Sequence, residues 1–236
     1  MNDFKLKLST KIQRTPSIVS FRFTPDRPCE FLPGQFAKLV LDEARPQNND
    51  LNKYLSFSCS PTKDYIEFTK RISNSEFSRK LNALKPQDEI LMQGPLGKCI
   101  LHEEYKKIGF LVGGIGITPV ISMVEYMADK DLDTDAVLLY SNRDMEEIAF
   151  KPELDSWKNA LGNFNVVYTL TDCDVEQKEC LAGRIDEKKI AENVSDITER
   201  IFFMFGPPRM VEAMKGLCLG AGCEEKMLKL ENFIGY

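Results

Sequence analysis

Residues 111 to 119 read Leu-Val-Gly-Gly-Ile-Gly-Ile-Thr-Pro, and no other stretch restricts the fold of this chain so closely. An apolar run, Ile108 to Val112, ends in Gly113, Gly114 and Gly116, and an apolar-periodic stretch follows Pro119. The order is that of a strand, a bare turn and a helix start. Without Cβ atoms the backbone can come close to a ligand, and N–H groups at a helix start attract anions. Pro119 suits a first helical turn, where its missing N–H is not needed. The stretch reads as a seat for a diphosphate, and a tight strand-to-helix turn with no ligand is its plain alternative.

The flanking sequence favours the seat. The first hundred residues are rich in candidate strands: Phe4 to Ser9, Ile18 to Thr24, Phe36 to Leu41, Tyr54 to Ser58, Tyr65 to Arg71 and Glu89 to Gln93. Pro28, Pro33-Gly34, Pro61, Pro86 and Gly94-Pro95 separate them, a pattern of short strands and regular turns that predicts a small barrel or sandwich. A short helix fits Glu76 to Leu84, and the polar stretch Asp42 to Asn52 reads as an exposed loop.

After about Tyr105 strands alternate with helices. Strands are expected at Ile108 to Val112, Ala136 to Tyr140, Asn165 to Leu170, Ile201 to Phe205 and Lys226 to Leu230. Helices are expected at Thr118 to Ala128, Glu147 to Leu161, Asp186 to Asn193 and Pro208 to Leu219. Near-continuous apolar strands between helices predict a doubly wound parallel sheet. The expected division is an antiparallel β-barrel over residues 1–104 and an α/β domain over 105–236. Ligands of such sheets sit at the carboxyl ends of the strands, where both Gly113 to Gly116 and Gly206-Pro207-Pro208 fall.

Composition narrows the function classes. A net charge of −5 with no basic stripe argues against a nucleic-acid partner. No apolar run approaches the ~20 residues of a membrane helix. Met1 to Ser9 alternates charge and apolarity, unlike a secretory signal, so a cytoplasmic location is expected. The seven cysteines, Cys29, Cys59, Cys99, Cys173, Cys180, Cys218 and Cys223, form no Cys-x-x-Cys and no plant-type iron–sulfur run. They read as small apolar residues in a reducing compartment, and no metal site is expected. His102 is the one histidine, so histidine acid–base chemistry is not expected either.

A series of short motifs resembles the ferredoxin–NADP reductase-like flavoproteins along almost the whole chain. Pro33-Gly34-Gln35-Phe36 resembles the family's Pro-Gly-Gln-Phe/Tyr, and Lys53-Tyr54-Leu55-Ser56 stands in the place of Arg-x-Tyr-Ser. Phe68 to Arg71 followed by Phe77-Ser78 is similar to the second flavin segment. Gly94-Pro95-Leu96-Gly97 resembles Gly-Pro-Phe-Gly, and Gly113 to Pro119 resembles Gly-Gly-x-Gly-Ile-Ala/Thr-Pro. Phe205-Gly206-Pro207-Pro208-Arg209-Met210 is similar to Cys-Gly-Pro-Pro-x-Met, and Glu231 to Tyr236 resembles the acidic-aromatic C-terminus.

The resemblance implies a flavin, FAD before FMN, in the barrel and NADPH or NADH in the α/β domain. Hydride would pass to flavin N5, and single electrons would leave for a separate acceptor, such as a ferredoxin, an oxygenase component or a small molecule. Ser56 would sit beside N5, and Lys53 would approach the flavin diphosphate without the bidentate fork of arginine. Leu55 replaces the ring-stacking tyrosine, and Tyr54 should point the opposite way. Phe68, Thr69 and Lys70 would line the flavin through their backbone, while Ser75, Glu76, Phe77 and Ser78 would offer N–H groups to phosphate.

On the α/β side, Gly113, Gly114, Gly116, Thr118 and Pro119 would hold the nucleotide diphosphate. Ser141, Asn142 and Arg143 would meet the adenosine ribose or its 2′-phosphate, with Arg143 favouring NADPH. Phe205, Gly206 and Pro207 would lie at the nicotinamide end, and Phe233 or Tyr236 would cover a flavin face. Ser56 and Tyr236 are the expected catalytic residues. The competing reading is a non-catalytic electron conduit or nucleotide-sensing subunit, which the departures at Lys53 and Leu55 favour.

Overall fold

The computed structural model describes residues 2–172 and 180–233. Cys173 and Tyr236 fall outside these described residues. The chain divides into two compact units, one of Met1–Leu101 with Thr118–Asp129, the other of His102–Ile117 with Lys130–Tyr236.

The first unit is built on β1 (Asn2–Gln13), β2 (Ile18–Pro25), β3 (Phe36–Val40), β4 (Asn52–Ser56), β5 (Ile66–Arg71), α1 (Glu76–Ala83) and β6 (Glu89–Leu96). The strands form one antiparallel sheet in the order β4-β3-β6-β1-β2-β5. The sheet curls until its two edges meet through a bridge between Phe57 and Phe68 and a bond from Ser58 N to Glu67 O at 2.8 Å. It is a nearly closed barrel, which leaves little free edge. Period-two alternation carries the fold: Phe4, Leu6 and Leu8 are buried between exposed Lys5 and Lys7. Phe21, Phe23, Phe57, Phe68 and Phe77 fill the interior. Phe31 stacks on Phe57 at 4.0 Å, and Phe57 lies 5.1 Å from Phe68.

A polar cluster crosses the seam. Glu67, 1% exposed, accepts bonds from Arg14 Nη2 at 3.2 Å and Arg22 Nε at 2.7 Å. Ser58 Oγ also donates to Glu67, and the hydroxyls of Ser58 and Ser20 meet that of Thr69 at 2.7 and 2.6 Å. The helix α2 (Thr118–Asp129) belongs to this unit. Its Glu125 accepts from Ser60 N at 2.7 Å, and Lys63 pairs with Glu125 and Asp129. Gly34 has φ +101°, and a Cβ there would lie 2.5 Å from Cys99 O, so the position demands glycine, and Met123 Cε of the helix packs into the space it leaves.

The second unit contains β7 (Lys107–Gly113), β8 (Asp135–Asn142), α3 (Lys151–Ala160), β9 (Phe164–Leu170), β10 (Cys180–Ala182), α4 (Glu187–Asn193), β11 (Ile201–Gly206), α5 (Pro208–Gly220) and β12 (Leu228–Asn232). All its strands are parallel, in the order β10-β9-β8-β7-β11-β12. No helix among the described residues is long and apolar enough to cross a membrane.

Several boundaries differ from expectation. β1 runs past Ser9 to Gln13 because pairing with β2 continues the ladder after the apolar alternation ends. β4 begins at Asn52, whose side chain bonds the backbone of the preceding loop at Leu41, Asp42 and Arg45. α3 begins at Lys151 rather than Glu147, because Phe150 adopts a left-handed conformation (φ 61°) just before the helix. β8 continues through Ser141 and Asn142, and the three-residue β10 is too short to leave a pattern in sequence.

Arg200 ties the amino ends of three strands of this sheet together. Its guanidinium donates to Ile108 O, Asp135 O and the carboxylates of Asp135 and Asp196 at 2.5 to 3.1 Å. Hydrogen bonding from Arg200, with help from Lys107, holds the Asp196 carboxyl down to about 2. Replacing Arg200 by methionine is expected to cost about 2–3 kcal/mol in urea unfolding, since it strips a buried cation from charged and backbone acceptors. Asp196 stabilises the fold above its ordinary value of 3.8, and that contribution is lost as pH falls through about 2. The variant should therefore lose less stability than the parent over this acid range.

Candidate functional site

On the barrel, β4 presents Lys53, Tyr54, Leu55 and Ser56 in succession. Lys53 and Leu55 share a face, opposite Leu39 and Ala37 of β3. Leu55 is 5% exposed and joins the barrel core, whereas Tyr54 is 48% exposed and meets Phe36 edge-on at 5.8 Å. Ser56, at 6% exposure, is buried at the strand end. Phe68 and Phe77 also point into the core, so a ligand at these two positions would meet backbone rather than ring. The Thr69 hydroxyl is committed to Ser58 and Ser20.

Lys70 stands beside the helix that follows, with its Nζ 5.9 Å from the Phe77 ring. Lys70 is buried at 6% exposure, and its amine is lowered to about 8, first by burial and then by the charge of Lys53. Beside it α1 begins. Ser75 is its N-cap and accepts from Ser78 N at 3.2 Å, and the hydroxyls of Ser73, Ser75 and Ser78 lie within 3.1 Å of one another. A buried ammonium group near a hydroxyl-lined helix start forms a donor set that suits a phosphate ester.

On the second unit, the carboxyl ends of the parallel strands line up. Gly113 pairs with Ser141, Ser141 with Thr169, and Gly206 with Asn232. A 3₁₀ turn, Gly114–Ile117, follows β7. The three glycines of the loop serve different ends. A Cβ on Gly113 would lie 2.4 Å from Met210 Sδ, and one on Gly116 would lie 2.3 Å from Phe205 O. Backbone bars a side chain at Gly116, while at Gly113 the space is taken by the flexible Met210 side chain, so both face packing inside the unit. Gly114 has φ +52°, and a Cβ there would meet nothing within 4 Å. Close approach to a ligand therefore concerns Gly114 alone of the three.

Among the described residues, four buried side chains carry polar atoms with no hydrogen-bond partner, and three of them, Asn142, Thr169 and Glu231, stand at this carboxyl edge. Both amide atoms of Asn142 are unmatched, which is costly without a further polar group to meet them. Burial pushes the Glu231 carboxyl up to about 7. This edge therefore has the donors and acceptors that a sugar-phosphate ligand could use.

The sequence-derived candidates separate accordingly. Ser141 is half-buried, Arg143 is exposed, and both follow Tyr140 at the edge. Phe205 is fully buried and stacks on Phe203 at 6.2 Å. Phe233 N donates to Gly206 O at 2.9 Å, which continues the β11–β12 ladder. Gly206 and Pro207 form the strand-to-helix corner before α5. Thr118 and Pro119 begin α2 and are buried. Tyr236 lies outside the described residues. Sequence reading did not single out Tyr140, Thr169 or Glu231 as site residues, since one polar group at the end of an apolar strand gives no pattern.

Comparison with known proteins agrees with this geometry. Residues 110–216 match the model of the oxidoreductase NAD-binding domain. The chain is 29% identical over 230 residues to the glycine betaine monooxygenase reductase subunit of Pseudomonas aeruginosa, covering 94% of this chain and 62% of that protein. It is 29% identical over 196 residues to the 2-halobenzoate 1,2-dioxygenase electron transfer component of Burkholderia cepacia, covering 81% and 55%. The chain thus spans less than two thirds of the length of these relatives. A crystal structure of a ferredoxin NADP⁺ reductase from Neisseria gonorrhoeae, with bound FAD and NADP, superimposes with a TM-score of 0.81 at 18% identity, over 98% of this chain and 99% of that one.

Glu231 and Gly116 allow two checks. A carboxyl raised from 4.5 to about 7 stabilises the fold fully below 4.5, and this contribution is lost as pH rises through 7. Glu231→Gln should flatten that part of the stability profile in thermal denaturation. Gly116→Ala should destabilise by about 2–3 kcal/mol, because backbone rather than a mobile side chain blocks the new methyl group.

Proposed function

We propose that the chain, which by motif order, fold and relatives groups with the ferredoxin–NADP reductase-like oxidoreductases, is a flavin-dependent NAD(P)H reductase serving a separate one-electron acceptor. The barrel holds the flavin, FAD before FMN, and the parallel-sheet unit, within residues 105–236, holds the nicotinamide nucleotide. A bound flavin supplies the conversion of a two-electron donor into single-electron delivery, with one proton released per turnover.

The residues divide the work. Lys53, Lys70 and the start of α1 bind the flavin phosphate, and an anion there offsets the burial, and after it the Lys53 charge, that lower the Lys70 amine. Ser56 offers its hydroxyl to the reactive edge of the ring. Backbone at Phe68 and Phe77 and the exposed face of Tyr54 line the remainder, with Leu55 supporting β4 from the core. The Gly113–Pro119 loop takes the nucleotide diphosphate, while Asn142, Ser141 and Thr169 are placed for ribose hydroxyls. Arg143 is the group that would reward a 2′-phosphate, so NADPH or NADH is decided there. Glu231 can keep a proton near neutral pH.

The acceptor is read from charge and relatives. Residues 1–101 carry 16 Lys and Arg against 11 Asp and Glu, and residues 102–236 carry 15 against 25. The barrel half therefore favours an acidic partner, such as a ferredoxin or an oxygenase component, and steering of this kind weakens with salt. None of the six described cysteines is in a disulfide, which fits a cytoplasmic reductase.

The observation that carries the proposal is buried Lys70, its Nζ 5.9 Å from the Phe77 ring, beside the serine-capped start of α1. Stopped-flow mixing of the flavin-loaded chain with NADH and NADPH without air should bleach the flavin band. Lys70→Ala should raise the flavin dissociation constant roughly tenfold, the loss of one charge-assisted contact. A folded chain that binds neither FAD nor FMN would overturn the reductase reading and leave a non-catalytic subunit.

A further inference from the structure

We propose that Tyr140 is a positioning residue of the nucleotide loop: its phenol fixes the Gly114 carbonyl and keeps that oxygen turned away from the diphosphate of the bound nucleotide. The inference rests on the loop being the diphosphate seat, as argued above, and assigns the device that makes it so.

Gly114 is the loop glycine with open space around it, and it lies in the left-handed region. A glycine peptide with open surroundings can rotate, and a rotated peptide would present its carbonyl dipole to the anion instead of its N–H side. In a planar trans peptide the C=O and the following N–H point in opposite directions, so fixing one fixes the other. Tyr140 Oη donates to Gly114 O at 3.0 Å and supplies that fixation.

The donor is itself held firmly. Tyr140 is fully buried in β8, and its ring lies 6.3 Å from that of Tyr168. Tyr168 Oη donates to Asp155 Oδ1 at 2.7 Å, and Lys151 pairs with Asp155 at 2.6 Å while lying 5.1 Å from the Tyr168 ring. Tyr140 thus reaches the loop from a braced pair of aromatic rings. Asn142, two residues further along the same face of β8, continues toward the ligand edge with its unmatched amide.

The test uses the full chain and ADP-ribose, which carries the diphosphate, with adenosine as a probe that lacks it. Calorimetric titration of Tyr140→Phe should show ADP-ribose binding weakened roughly 3- to 10-fold, the loss of one hydrogen bond, with adenosine unaffected. Tyr168→Phe, which leaves the Gly114 bond in place, should bind as the parent does. Placing 4-aminophenylalanine at position 140, which keeps a donor, should restore affinity. Equal ADP-ribose affinity in Tyr140→Phe and the parent, or an equal loss for adenosine, overturns the proposal. A parent chain that binds no ADP-ribose removes the loop reading itself, a different failure. Should Tyr140→Phe not fold, nuclear magnetic resonance of the unmodified chain decides. The Ile115 amide, which shares a peptide plane with the Gly114 carbonyl, should shift on adding ADP-ribose while the Tyr140 hydroxyl proton stays protected, and an unshifted Ile115 amide or an exchanging hydroxyl overturns the inference.

Discussion

One buried carboxylate holds the seam of the barrel. Glu67 draws Arg14 from the end of β1 and Arg22 from β2 onto β5, and Ser58 brings in the chain that leaves β4. A lone buried charge would be costly, but this one is matched by two guanidiniums and a hydroxyl. The seam matters because β4 ends and β5 begins there. Ser56 is two residues from Ser58, and Thr69 and Lys70 follow Glu67 directly. The ion cluster therefore sets the spacing of the strands on which the proposed flavin seat is built, from a position where it need not touch the flavin.

The glycine loop gives a contrasting lesson. Its three glycines look equivalent in sequence, yet Gly113 and Gly116 yield space to Met210 and to the Phe205 carbonyl, and Gly114 alone faces outward. The late Gly206-Pro207-Pro208-Arg209-Met210 motif is tied to the early one by that packing, since Met210 comes against both Gly113 and Gly206. Two motifs far apart in the chain thus share a single structural explanation.

Much of this fold is legible from periodicity. The alternation of Phe4, Leu6 and Leu8 and the apolar run from Ile108 to Val112 each assign their element and its buried face. Boundaries were less legible where the deciding contact is distant: β1 outlasts its pattern because β2 pairs with it, and Phe150 stops α3 early through its backbone conformation. In the candidate site, motif order marked the strands and turns but not the direction of each side chain. Leu55, Phe68 and Phe77 stand within flavin motifs and yet point into the core. The depressed amine of Lys70 and the unmatched amide of Asn142 arise from neighbours remote in sequence, and no local pattern announces them.

The path of the chain has a consequence for how such a protein can be taken apart. The helix Thr118–Asp129 lies in the middle of the α/β sequence but belongs to the barrel unit, held by Glu125, Asp129 and the notch that Gly34 leaves for Met123. The backbone leaves one unit and returns to it, so no single cut separates them. A fragment ending at Leu101 would lose the helix that fills the Gly34 notch, and a fragment beginning at His102 would carry a helix deprived of its partners. Recombining halves from different relatives would require the barrel and this helix to be inherited together, although sixteen residues of the other unit lie between them in the chain.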